Sequence, residues 1–168
     1  MKLNKLLKLF TSLSLVFATA AYAGNAEVNW TNPDDYRDIR PANQSKKRFH
    51  EKTFEEFEEF FTELAGKLPE GYQLKLNVTD VDLAGNVEFG RTQPIRIVRQ
   101  LFFPRMDFDY QLLDANNQVL MAENVELKDM NFLNNIRTRT STESLGYEKV
   151  MLEKWFNQTM KEHLVKEK

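Results

Sequence analysis

The stretch that decides the fold is Met106-Asp-Phe-Asp-Tyr-Gln-Leu-Leu-Asp-Ala-Asn-Asn-Gln-Val-Leu-Met-Ala-Glu-Asn-Val-Glu-Leu127. Its first half alternates between apolar and polar residues, and this period of two is typical of a strand with one buried face. The apolar side consists of Met106, Phe108, Tyr110 and Leu112. Turn-forming residues follow at Asp114–Asn117, and a second β-prone run extends from Gln118 to Leu127. We therefore predict a β-hairpin that serves as the platform for the rest of the chain.

Two helices are predicted, because apolar residues recur with helical spacing in two segments. The first runs from about Ser45 to Gly66 and places most of its phenylalanines on one arc. A capping-box pattern at Thr53–Glu56 leaves a later start, at Thr53, as an alternative. The second helix runs from about Ser144 to Val165 and carries two apolar stripes. One stripe consists of Tyr147, Met151 and Trp155, and the other of Leu152, Phe156, Met160 and Leu164.

Three further segments have the composition of strands. Residues 24–30 form a short candidate edge strand, residues 72–83 a longer strand, and Pro94–Phe103 a strand that ends before Pro104. The apolar side of residues 72–83 changes near Asp80, which predicts a β-bulge or an exit from the core. Together these segments predict an α+β fold class, with a mostly antiparallel sheet of four to five strands and two long helices packed on it.

The first 23 residues have the three parts of a secretory signal peptide. Three lysines within the first eight residues give a basic start, and a short apolar run follows over Leu6–Ala21. Ala21-Tyr-Ala23 then supplies small residues at positions −3 and −1 of a cleavage site. The apolar run is shorter than the roughly 20 residues of a membrane-spanning helix, although an uncleaved anchor is the alternative. We predict export to the periplasm, cleavage after Ala23, and a single domain over residues 24–168.

The composition of residues 24–168 narrows the classes of function. Removal of the three signal-peptide lysines from 23 basic residues leaves 20 against 25 acidic residues, a net charge of −5. General nucleic-acid binding needs clustered positive charge, so no nucleic-acid partner is predicted. The chain has no cysteine, so the exported domain has to rest on its core without disulfides. No membrane span is predicted after cleavage, and the sequence specifies no oligomeric state.

Four charged residues are candidates for a ligand or metal site, namely Asp80, Asp82, Arg105 and Asp107. Asp80 and Asp82 stand at positions i and i+2 of a predicted strand, so their carboxylates face one way and can hold a hard cation. The calcium-loop pattern is not completed, because Ala84 stands at its fifth position and Arg91 at its twelfth. Ion pairs between these acids and the neighbouring arginines are the alternative, and no metal is assigned.

Signals of catalysis are scarce. Paired carboxylates can hydrolyse glycosidic bonds such as those of cell-wall glycan, but nothing selects one acid as the proton donor. The chain has no cysteine nucleophile, no Gly-x-Ser-x-Gly motif, no phosphate loop and no dinucleotide motif, so no cofactor and no catalytic residue is predicted.

The scarcity of catalytic signals favours a non-enzymatic binding or adaptor module of the bacterial envelope. Its predicted partner is another envelope protein. The surplus stripe of Tyr147, Met151 and Trp155 is the candidate partner-binding surface, unless the second helix is wedged between the sheet and the first helix. A metal-dependent or carboxylate-based envelope enzyme is the alternative function.

Six short stretches resemble a known family of exported bacterial proteins. They are Asp38-Ile-Arg-Pro41, Thr79-Asp-Val-Asp-Leu-Ala-Gly85, Pro104-Arg-Met106, Tyr110-Gln-Leu-Leu-Asp114, Leu127-Lys-Asp-Met130 and Tyr147-Glu-Lys-Val-Met-Leu-Glu-Lys-Trp-Phe156. In this order they resemble the family known as domain of unknown function 3016, over roughly Val28 to Phe156. The resemblance implies a signal-bearing envelope protein, and because no activity is assigned to the family, no catalytic residue is carried over. The order of elements is also similar to small periplasmic α+β modules that bind other envelope proteins, which is fold analogy.

Overall fold

A computed structural model of the protein describes residues 23–90, 92–137 and 143–164, and the predicted signal peptide up to residue 22 lies outside these ranges. The helices and strands, in chain order, are β1 (Asn25–Trp30), α1 (Lys46–Ala65), β2 (Gln73–Asp82), β3 (Asn86–Glu88), β4 (Ile95–Ile97), β5 (Arg105–Leu113), β6 (Val119–Lys128) and α2 (Gly146–Thr159). The α+β class is as predicted.

The predicted hairpin is formed by β5 and β6, which pair antiparallel from Arg105↔Lys128 onward. The Asp114 carboxylate closes the turn, because it accepts hydrogen bonds from the backbone N–H groups of Asn116 (2.8 Å) and Gln118 (2.9 Å). Asn117 takes a left-handed conformation with φ of 60°, which asparagine tolerates better than most residues. The turn chemistry predicted for these residues is therefore confirmed.

The main sheet has four strands in the order β1-β2-β5-β6. β1 runs parallel to β2, whereas β2–β5 and β5–β6 are antiparallel pairs. A parallel pair needs a long connection between its strands, and α1 provides it. The predicted strand Pro94–Phe103 is shorter than expected: it forms only β4, which pairs with β3 in a separate ribbon and does not join the sheet.

The predicted bulge lies in the middle of β2, where the pairing with β5 shifts register between Val78 and Asp80. Thr79 is the extra residue, and its hydroxyl donates to the Asp107 carbonyl over 3.1 Å. Because of this insertion, Val78 and Val81 are both buried although they are three positions apart. The aspartates on either side of Val81 are consequently directed away from the core.

Both helices pack on the same face of the sheet. Ser45 caps α1 by accepting a hydrogen bond from the Arg48 N–H, so the longer of the two predicted starts is confirmed. α2 ends at Thr159, earlier than the predicted Val165, because residues 160–164 close in a tighter turn in which the His163 N–H donates to the Met160 carbonyl. Within the described ranges, no helix combines the length and apolar character needed to cross a bilayer.

The core lies between the helices and the inner face of the sheet. It contains side chains from both helices and from β2 and β5, and the fully buried ones include Phe57, Phe61, Leu64, Leu74, Met106, Phe108, Leu112, Leu152 and Phe156. The opposite, outer face of the sheet is polar. There Asn29 donates to Asn77 over 2.6 Å, and Asn124 donates to Asp109 over 2.8 Å. A sheet covered on one face only is the frame for every site described below.

Replacement of a buried ring of β5 tests this arrangement. Phe108→Ala is expected to lower the free energy of unfolding by about 3–5 kcal/mol, because the ring is fully buried against Trp155 and its loss leaves a cavity. Phe89→Ala removes the same ring from a position where 78% of the residue is exposed, so a change within about 0.5 kcal/mol is expected. Urea denaturation of both variants measures the difference, and equal losses would contradict the placement of the core.

Candidate functional site: the outer edge of β6

The four residues predicted to hold a ligand or metal lie together on the outer face of the sheet. Asp80 stands opposite Asp107 in the β2–β5 pair, and Asp82 stands opposite Arg105. The structure therefore places the four predicted residues near one another. Arg105 and Asp107 border a cavity of about 270 Å³, and Asp80 and Asp82 do not line it.

Two of the three acids in this group are paired with arginines. Asp82 faces Arg105 at 3.6 Å, and Asp80 is held by Arg37 through an ion pair at 3.2 Å and a backbone hydrogen bond at 2.7 Å. Partial burial raises the pKa of Asp82 and of Asp107, and for Asp107 the nearby Asp80 adds to the effect. Across the described part of the chain, no group of three or more carboxylates and histidines could hold a metal ion. The arrangement is that of ion-paired strand ends.

The predicted partner-binding stripe on α2 belongs mainly to the core. Met151 and Trp155 are 3% and 7% exposed, and the Trp155 ring packs edge-on against Phe108 at 4.8 Å and Tyr110 at 5.3 Å. Tyr147 is half-buried and contacts Phe132. Because one helix face cannot both fill the core and remain free, the stripe does not form an open surface in the folded domain. Only the rims of Met151 and Trp155 reach the surface, at the groove beside β6.

β6 offers a different surface, its own outer edge. No strand among the described residues pairs with that edge, and β6 is ten residues long whereas the other edge strand, β1, has six. Most residues of β6 are exposed, including Val119 and Leu120. An unpaired edge presents a row of backbone donors and acceptors that another extended chain can match. Sequence periodicity gave no sign of this edge, because a strand pattern does not state which neighbours a strand has.

A groove lies between the C-terminal end of β6 and α2. Its apolar floor is formed by Leu127, Met151 and Trp155, and its polar lining by Lys128, Asp129, Lys154 and Gln158. Its volume is about 210 Å³, more than the ~150 Å³ apolar cavity that accommodates benzene. Edge and groove together, here called the β6 site, can bind a backbone and a bulky apolar side chain at the same time.

A second polar centre, around Arg96, was not predicted. The Arg96 guanidinium bonds to the Asp38 carboxylate at 3.0 Å and donates to the carbonyls of Arg40 and Gly85, each at 3.0 Å. Asp38 is only 8% exposed. Arg96 therefore joins the loop after β1 to the loop after β2. The only signal for it in the sequence was an arginine between two isoleucines of a strand.

Glu148 extends this centre to the start of α2. Its carboxylate accepts a hydrogen bond from the Ala84 N–H over 2.7 Å, and its burial raises the pKa of the carboxyl group. Arg96 and Glu148 both line a cavity of about 290 Å³. Three of the stretches that carry the family resemblance, residues 38–41, 79–85 and 147–156, meet here. Because the bonds of Arg96 and Glu148 are made within the domain, we assign them to folding.

The Arg96 centre yields a stability prediction. Arg96→Met is expected to cost about 3 kcal/mol in the free energy of unfolding, because it leaves the buried Asp38 carboxylate with the exposed Arg40 guanidinium, at 3.8 Å, as its remaining ion pair. Arg99→Met is the matched control, since Arg99 pairs with Glu88 at the surface, and it should cost no more than about 1 kcal/mol. Thermal and urea unfolding measure both. An Arg96→Met protein as stable as the control would show that the centre does not hold the two loops.

A model of the family described as "Protein of unknown function (DUF3016)" matches residues 24–158. No curated protein and no solved structure matches the chain. The match contains all the strands described above and nearly the whole of α2, so it covers both the β6 site and the Arg96 centre. The chain therefore belongs to the DUF3016 family, as its six sequence stretches indicated.

Proposed function

We propose that the protein is an exported, non-enzymatic adaptor that binds an extended segment of another protein of the bacterial envelope at the β6 site. The observation that carries this proposal is the ten-residue strand edge without a pairing strand, next to an apolar groove. Extended peptides that add to a sheet gain affinity from main-chain hydrogen bonds and specificity from pockets for alternate side chains. The β6 site has both parts.

The two parts of the β6 site contribute differently to binding. The backbone groups of β6 are already solvated, so pairing them with a new strand adds about 0.5–1.5 kcal/mol per hydrogen bond at most. Burial of an apolar side chain over Leu127, Met151 and Trp155 adds about 25 cal/mol for each Å² removed from water. The groove therefore selects the partner and the edge aligns it.

Export is the second part of the proposal, and two observations support it. Ala23 is exposed whereas Gly24 is buried, and a β-carbon on Gly24 would lie 2.5 Å from the Ala65 carbonyl oxygen. Close packing thus starts at Gly24, the residue that follows the predicted cleavage site. The family match also begins at residue 24. A location outside the cytoplasm is consistent with a protein whose proposed partners are envelope proteins.

An enzyme built on Asp80, Asp82, Arg105 and Asp107 is not proposed. Hydrolysis by two carboxylates requires one of them to act as a proton donor and the pair to flank a bound substrate. In this chain two of the three acids are paired with arginines, and the cavity that Arg105 and Asp107 border is not lined by Asp80 or Asp82. The geometry favours the adaptor.

Peptide binding at the β6 site is the first test of the proposal. A library of random ten-residue peptides is displayed and selected on the domain comprising residues 24–168, and the selected peptides are titrated by fluorescence anisotropy. Bound peptides are expected to slow amide hydrogen exchange in β6 and leave β1 unchanged, because a new strand hydrogen-bonds to the edge it joins. Failure to select any peptide, or protection of β1 or the outer face instead, would contradict the proposal.

Two tryptophan substitutions on α2 provide a matched control. Gln158→Trp places a large ring at the rim of the groove and is expected to weaken binding of the selected peptides at least tenfold. Asn157→Trp adds the same ring to the neighbouring exposed position, which does not line the groove, and should leave affinity unchanged. Equal effects of both substitutions would show that the groove is not the binding surface.

The export proposal is tested at the N-terminus of the mature protein. Protein purified from the periplasmic fraction of cells that express the full chain is expected to begin with Gly24 by mass spectrometry. Ala23→Arg should block processing, because position −1 requires a small residue, whereas Tyr22→Arg at position −2 should be processed normally. An intact Met1 on protein recovered from the cytoplasm would overturn the prediction.

A further inference from the structure

We infer that the segment bound at the β6 site carries a basic residue that pairs with Glu123, four positions along the strand from an apolar residue held in the groove. This inference rests on the proposed function, and it specifies what kind of segment the site selects. The partner is thereby described by its chemistry, as an extended segment with the pattern apolar-x-x-x-basic or its reverse.

Glu123 stands out because it is a charged residue on the inner side of β6. It is paired directly with Tyr110 of β5, whose side chain is buried in the core. From Met121 onward, the other residues of β6 with the same parity are apolar and pack against that core, namely Met121, Val125 and Leu127. No lysine or arginine in the described part of the chain forms an ion pair with Glu123. A carboxylate in this row is therefore available to a cation from outside.

The hydroxyl group of Tyr110 is buried beside Glu123, the partner of Tyr110 across the β5–β6 pair. Burial raises the pKa of Tyr110, and the negative charge and hydrogen bonding of Glu123 raise it further, so the hydroxyl keeps its proton. The Glu123 carboxylate therefore has a neutral neighbour on the sheet. An ammonium or guanidinium from outside would supply the positive partner that the described residues do not.

The spacing within the bound segment follows from strand geometry. Side chains of a strand alternate between its faces, so Glu123, Val125 and Leu127 point the same way. Glu123 and Leu127 are about 13 Å apart, because four residues each rise about 3.3 Å. A new strand beside β6 has the same rise. Its residue opposite Leu127 enters the groove, and its basic residue lies opposite Glu123 with three residues between, whichever way the segment runs.

A purely protective role for Glu123 is the competing explanation. Inward-pointing charges on edge strands discourage pairing with other chains, and a carboxylate over an apolar layer does this well. The two roles differ in their consequences. A protective charge repels every incoming strand, whereas a recognition charge favours strands that bring a cation. Removal of the charge should promote self-association in the first case and lower affinity for basic peptides in the second.

The experiment uses the peptides selected on the domain comprising residues 24–168, together with versions in which the basic residue is replaced by glutamine or glutamate. Glu123→Gln is expected to weaken binding of the basic peptides about tenfold and to leave the glutamine versions unchanged. Glu123→Lys should reverse the preference in favour of the glutamate versions. Glu126→Lys is the control, because Glu126 is on the same strand but on its outer face.

Each result has a definite meaning. Loss of the basic preference in Glu123→Lys but not in Glu126→Lys supports the inference. Peptides that protect β6 but show no basic residue at the stated spacing overturn the inference while the proposed function stands. Increased self-association of Glu123→Gln with unchanged peptide preference also overturns it, in favour of the protective role. If no peptide protects β6 at all, the proposed function fails and the inference fails with it.

Discussion

The contact on which the rest of the structure depends is that of Trp155 with Phe108 and Tyr110 of β5. The indole packs edge-on against both rings and anchors α2 on the inner face of the sheet. α2 also contacts β6, whose inner-row side chains stay partly exposed. The groove between α2 and β6 lies beside this anchored indole. The same side chain that stabilises the core also forms part of the groove floor.

One-sided coverage of the sheet separates the chemistry of its two faces. On the inner face, buried apolar side chains provide most of the stability, because a chain without cysteine has no disulfides to add to it. On the outer face, amides and ion pairs such as Asp82–Arg105 meet water and neutralise one another. The main opportunity for binding lies at the edge of the sheet, where the backbone groups of β6 have no strand to pair with among the described residues and Glu123 has no basic partner there.

Structural features that depend on a few adjacent residues could be predicted from the sequence. The period-two alternation gave β5, Asp114 and Asn117 gave the turn, and the change of side at Asp80 gave the bulge, since each is decided by a few adjacent residues. The parallel partnership of β1 with β2 was not predicted, because it depends on residues about 50 positions apart. The sequence pattern places Ile95–Ile97 in the longer predicted strand Pro94–Phe103, since isoleucines around an arginine fit a strand of the main sheet and a small ribbon equally well.

At the candidate site, too, the local pattern could be predicted from the sequence, whereas the side-chain partners from distant segments could not. The sequence brought Asp80, Asp82, Arg105 and Asp107 into one neighbourhood, but the balance between a cation site and ion pairs depends on side-chain partners such as Arg37, which comes from a distant loop. The sequence allows the stripe of α2 either to face a partner or to be wedged between the sheet and the first helix, because its apolar surface exceeds what one contact needs. The core used that surplus, since Trp155 fills the space over two rings of β5. A helical pattern in the sequence shows how much apolar surface a helix has, but it does not show which element that surface contacts.

An open strand edge creates a conflict that the position of Glu123 resolves. For the proposed function the edge of β6 has to remain unpaired, yet ten unpaired residues next to an apolar groove would also attract other copies of the chain. A carboxylate on the inner row makes pairing unfavourable for segments that bring only apolar residues, because the charge would lose water without compensation. A segment with a cation would remove that cost. In the proposed recognition, the charge that excludes most strands is therefore the charge that a suitable strand neutralises.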